Sequence, residues 1–79
     1  MYYRVTFPLE TTLIDGKNGR STIVKACQFT MERIPNPLFP GRGNWLVLKG
    51  TKIGMNESHL RSFENETLEI LRIRIEEID

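Results

Sequence analysis

Apolar and polar residues alternate from the start of the chain. Val5, Phe7, Leu9 and Leu13 share one parity, and Arg4, Thr6, Glu10 and Thr12 share the other. A period of two predicts a strand with one buried and one wetted face. Pro8 lies inside this run and has no N–H for a ladder, so the strand is expected at an edge or bulged there. Asp15-Gly16-Lys17-Asn18-Gly19 then supplies two glycines and an asparagine able to take positive φ, the chemistry of a hairpin loop. The return strand is expected from about Ser21 to Arg33. Ile23, Cys27, Phe29 and Met31 share one parity there, with Lys25 interrupting and Val24 and Ala26 opposite.

The segment Ile34-Pro35-Asn36-Pro37-Leu38-Phe39-Pro40-Gly41-Arg42-Gly43-Asn44 excludes a regular ladder or helix, because its prolines lack donors and its glycines resist ordering. Long loops of this kind are uncommon in compact domains and many are functional. Leu38 and Phe39 are expected to pin it to the body. Trp45-Leu46-Val47-Leu48 predicts a short buried strand, followed by a turn at Gly50 and another strand around Ile53. Asn56 is a natural cap for a brief helix over 57–63. Glu57 in its first turn suits the helix dipole, and Leu60 and Phe63 point inward.

The closing segment carries two patterns. Leu71, Ile73 and Ile75 alternate with Arg72, Arg74 and Glu76 as in a strand, while Leu68, Leu71, Ile75 and Ile78 are spaced for a helix. β-branched isoleucines favour the strand. The expected architecture is therefore mainly β (β-rich α+β), within one domain spanning 1–79. A small antiparallel sheet of about five strands, meandering and curled as a barrel or sandwich, carries one short helix near 57–63.

Composition restricts the chemistry. The chain of 79 residues has one cysteine, Cys27, and one histidine, His59. Neither an internal disulfide nor a zinc site follows from such a set, so a reducing compartment, the cytoplasm, is expected. The first residues lack the order of a secretory signal, and Trp45–Leu48 is far too short to cross a bilayer. The sequons at Asn56 and Asn65 then read as chance matches. Expected stability is modest, because a chain of this size buries roughly 60–65% of its unfolded surface.

Charge is unevenly distributed. Residues 1–52 hold eight basic and three acidic side chains, and residues 53–79 hold three basic and seven acidic. Such a layout makes a dipolar surface unless the two halves interleave and cancel locally.

No catalytic constellation emerges. His59 follows Ser58 directly, so the two point different ways on a helix, and His59 reads as a surface residue. Cys27 shares a parity with Ile23 and Phe29 and reads as a small buried hydrophobe. Gly41-Arg42-Gly43 is followed by a strand rather than a helix and makes no phosphate loop. No catalytic residues, metal or cofactor are expected.

The candidate binding residues are Phe39, Arg42, Asn44, Trp45, Lys49 and Lys52, an aromatic and basic group around a restricted loop. Arg and Trp are enriched at interface hot spots, and a rigid loop loses little entropy on docking. For Trp45 the core is the favoured place, since a domain this small needs its largest side chain inside. Tyr2, Tyr3 and Arg4 form a weaker group on a strand whose edge could pair with another chain, as could the closing Ile-Arg-Ile-Arg-Ile stretch, giving a homodimer.

The leading expectation is a small non-catalytic protein-binding module: an inhibitor, adaptor or subunit of a larger complex with an acidic-surfaced protein partner and no membrane. Its size and blandness fit accessory proteins of phages and mobile elements, including those that inhibit a host or defence complex. The alternative is a nucleic-acid-binding small β-barrel using the same basic-aromatic surface. Against it stand a pI of about 7.9 and the late acids.

Overall fold

The computed structural model describes residues 1–78. Within them, seven strands form one antiparallel sheet: β1 (Tyr2–Thr6), β2 (Thr11–Asp15), β3 (Ser21–Val24), β4 (Gln28–Pro35), β5 (Asn44–Leu48), β6 (Ile53–Asn56) and β7 (Arg74–Glu77). A helix, α1 (Glu57–Ser62), follows β6, and two 3-10 turns at Phe63–Asn65 and Glu69–Leu71 lead to β7.

The spatial order is β3-β2-β6-β5-β4-β1-β7. Only β4-β5-β6 is a meander, so the expected meander is corrected for the rest. The sheet is open, ending on β3 and β7, and is not a closed barrel.

Seven strands replace the expected five because both long segments break. Thr6 pairs with Gln28 and Thr11 with Val24, so four residues (7–10) face three (25–27). The extra residue bulges the hairpin where Pro8 could not have continued the ladder. The return strand loses its phase at the same place, since a one-residue slip moves side chains to the other face. Val24 packs against the core while Ile23 is 65% exposed. Leu9, on the inward parity by sequence, is exposed at the bend.

Pro8 marks this bend rather than an edge. β1 is hydrogen-bonded on both sides, to β4 and β7, because Pro8 lies beyond its last ladder residue. Pairing of β1 with another chain is thereby ruled out, and the free edges of the described sheet belong to β3 and β7.

One core gathers Tyr3, Val5 and Phe7 from β1 with Leu13, Met31, Leu46, Leu60 and Ile73. Each large apolar side chain withdrawn from water contributes about 1.5–3 kcal/mol. Phe29 adds a tilted contact to Phe7, with ring centroids 5.9 Å apart. Leu60 carries α1 into this core, and Phe63 packs against it. As expected, the Asn56 side chain caps the helix, accepting from the His59 backbone N–H at 3.1 Å.

The last segment resolves as a strand, shorter than its alternation suggested. Ile73 is buried and Ile75 half-buried, whereas Leu71 lies in a 3-10 turn. Cys27 is half-exposed opposite the bulge rather than buried, and no disulfide forms.

Candidate functional site

β5 presents opposite faces at successive residues. Leu46 enters the main core, while Trp45 and Val47, 5% and 0% exposed, point to the other side of the sheet. Gly54, paired with Val47, brings the β5 backbone unusually close. A Cβ there would stand 1.9 Å from the Leu46 carbonyl oxygen.

The proline-rich loop folds back towards the β2–β3 hairpin. Pro37 packs on Gly16, where a Cβ would meet it, and the Gly16 N–H donates to the Lys52 carbonyl at 2.8 Å. The ladder runs further into this segment than its prolines suggested. Ile34 and Pro35 pair with Trp45 and Asn44, leaving 36–43 as the loop proper.

Asn36 holds that loop. It is 8% exposed, and its Oδ1 accepts from the backbone N–H groups of Leu38 and Phe39, both at 2.9 Å. Its own N–H donates to the Gly43 carbonyl at 3.0 Å, and the Arg42 N–H donates to the Phe39 carbonyl at 3.0 Å. An asparagine before a proline is a signature of such a turn, and it was the sequence signal for this role. Gly41 and Gly43 adopt φ of 88° and 85°, the left-handed region that a side chain would oppose.

The structure distributes the six predicted site residues over two places. Phe39, 65% exposed, and exposed Arg42 line a shallow cavity of about 480 Å³ with Asn36 and Asn56. Asn44 is exposed at the start of β5, while Trp45 is interior. Leu38 is half-buried, whereas the Phe39 side chain stays in water, so Phe39 does not pin the loop to the body as expected.

Lys49 and Lys52 occupy the β5–β6 turn at the far end of β5. Lys49 places its ammonium 5.1 Å from the Tyr2 ring centroid. Lys52 adjoins the hairpin loop that carries Lys17, through the Gly16 hydrogen bond. The Tyr2-Tyr3-Arg4 group is dispersed: Tyr3 is buried, and Arg4 approaches Glu76 at 3.9 Å.

The two charged halves interleave at Arg4–Glu76 and at Arg33–Glu57. Elsewhere they do not cancel. Lys17, Arg20, Lys25, Arg42, Lys49 and Lys52 join no ion pair among the described residues.

A network absent from the sequence reading lies beside α1. The Glu57 carboxylate accepts from Arg33 at 2.8 and 2.7 Å and from Arg61 at 2.9 Å; Arg61 also reaches Glu64 at 3.2 Å. Both guanidinium groups lie over the Tyr3 ring, at 5.2 and 5.6 Å from its centroid. The hydrogen bond from Arg33, reinforced by Arg61, holds the Glu57 carboxyl below the usual carboxylate range. Every member of the cluster has a partner, and it ties α1 to β4 and β1. His59 is exposed on α1 and stacks edge-on with Phe63, centroids 5.4 Å apart.

No group of three or more potential metal ligands occurs among the described residues. No described helix is long and apolar enough to cross a membrane. No family model, curated protein or solved structure gives a significant match to the chain.

Proposed function

We propose that this chain is a non-catalytic protein-binding module of the cytoplasm, acting as an inhibitor, adaptor or subunit of a larger complex. It engages an acidic partner surface through the loop of Phe39 and Arg42, with Asn44 beside them. One observation carries this reading. Phe39 is 65% exposed on a loop whose backbone Asn36 fixes with two hydrogen bonds. A large aromatic held in water by an ordered loop does nothing for the fold, yet it meets a partner with little entropy left to lose. Arg42 beside it, in no ion pair among the described residues, supplies the cation for an acidic surface. Lys49 and Lys52 extend the positive field rather than the contact.

Photo-crosslinking tests this reading directly. With benzoylphenylalanine at position 39, irradiated cells of the source should yield a protein adduct mapped to an acidic surface. An adduct with nucleic acid, or none above the level at exposed Thr30, contradicts it.

Lys52 and the adjoining loop that carries Lys17 favour one second reading, nucleic-acid binding on this basic end of the sheet. Anisotropy of labelled single- and double-stranded oligonucleotides at two salt concentrations separates the two. Binding that weakens steeply with salt reports phosphate contacts and supports the second reading. Absence of binding at low salt supports the first. Self-association, should it accompany either reading, has β3 and β7 as its free edges.

A further inference from the structure

A second surface differs from the loop in both place and charge. The bend after β1 and the turns after α1 enclose an apolar groove of about 320 Å³, walled by Leu9, Met55, Phe63 and Leu71. It shares no residue with the cavity at Phe39. Leu9 is 44% exposed and Leu71 36%, and on the same turn Leu68 and Ile70 are 61% and 66% exposed. So much aliphatic surface gathered in one place exceeds the scattered exposure usual for a folded chain. The charged side chains lining the groove are the carboxylates Glu10 and Glu66, and no basic residue lines it. Glu69 follows on the exposed turn. The Arg72 guanidinium is turned to the Glu66 carbonyl, which its Nε reaches at 3.0 Å.

We propose that this groove receives an apolar side chain from a basic segment of a partner protein. The apolar walls take the side chain, and Glu10 and Glu66 favour lysine or arginine on either side of it. An acidic segment would meet like charge at both. The proposal stands on the groove alone and does not depend on the Phe39 loop. Together the two surfaces would let one small chain join an acidic partner surface to a basic one.

The test is an NMR titration of the labelled protein with acetyl-Lys-Lys-Leu-Phe-Lys-Lys-amide. Two control peptides carry Ala-Ala at the centre or Glu in place of every Lys. Amide shifts confined to residues 9–12, 55, 63–66 and 71–73 support the proposal. Affinity at least about tenfold lower for each control supports it further. Leu71→Asp and Leu9→Asp, both at solvent-exposed positions that leave the core intact, should each weaken binding about tenfold or more. Phe39→Ala should change nothing. Equal binding of the Ala-Ala peptide, shifts centred elsewhere, or concentration-dependent dimerisation through the same amides without peptide would each overturn it.

Discussion

Arg33 and Glu57, 24 residues apart, are joined by two parallel hydrogen bonds: Nε to Oε1 at 2.8 Å and Nη2 to Oε2 at 2.7 Å. Bidentate pairing fixes orientation as well as distance. It sets the angle at which α1 leaves β6, and so the positions of Leu60, Phe63 and the groove beyond them. Glu57→Gln removes the charge while keeping the shape. It should lower stability by about 1–2 kcal/mol, since hydrogen bonds to charged groups are worth more than neutral ones but the arginines are partly solvated. Thermal unfolding should show this as a fall in Tm of roughly 4–15 °C for a chain of this size.

The same pair predicts an acid limb. The native Glu57 carboxyl titrates below its ordinary range because Arg33 and then Arg61 donate to it. The unfolded chain therefore takes up the proton first. Its stabilising contribution is complete above the ordinary glutamate value of about 4.3 and fades as pH falls through the lower native value. Between about pH 4.5 and pH 3, wild-type stability should fall more steeply than that of Glu57→Gln. Above about pH 6 the gap should be constant. Parallel limbs in the two proteins would remove Glu57 from the account.

Gly54 is a packing requirement. Its missing Cβ is replaced in space by the backbone of β5, with the Leu46 carbonyl oxygen and the Val47 Cα both closer than any side chain tolerates. Gly54→Ala should cost on the order of 3 kcal/mol or more, read from the denaturant midpoint, because backbone and not a flexible side chain must yield.

Asn36 controls the loop without being its contact. Asn36→Ala loses two accepted hydrogen bonds and should cost about 1–2 kcal/mol. Its sharper signature is local: amide exchange at Leu38 and Phe39 should speed up by at least about tenfold while the β4–β5 ladder stays protected. Partner affinity should fall although Phe39 and Arg42 are intact, since the ordering entropy would then be lost on binding.

Local chemistry in the sequence was a good guide to the elements and a poor one to their connections. The hairpin loop at Asp15–Gly19, the Asn56 cap, inward Leu60 and the late strand all follow from contacts within a few residues. The bulge opposite Lys25–Cys27 does not, because a slip of phase shows only when two strands are set side by side. The pairing of β2 with β6 joins residues some forty apart and has no local signal, so a meander was the natural and incorrect expectation. Among the candidate residues, Phe39 and Arg42 come together because one short loop carries both. Lys49 and Lys52 follow them in sequence but lie a strand's length away. Glu57 suited a helix start so well that its larger role, bridging Arg33 and Arg61, was hidden.

The most direct measurement is a parallel capture from extract of the source cells using wild type, the double variant Phe39→Ala/Arg42→Glu and, as a surface control, Thr30→Glu at an exposed position outside both cavities. Wild type and Thr30→Glu should retain the same protein with an acidic surface, after nuclease treatment and in a 1:1 complex. The loop variant should lose it while keeping the wild-type Tm. Equal recovery by all three, or a capture that nuclease abolishes, would contradict the assignment of this loop as a protein-binding surface.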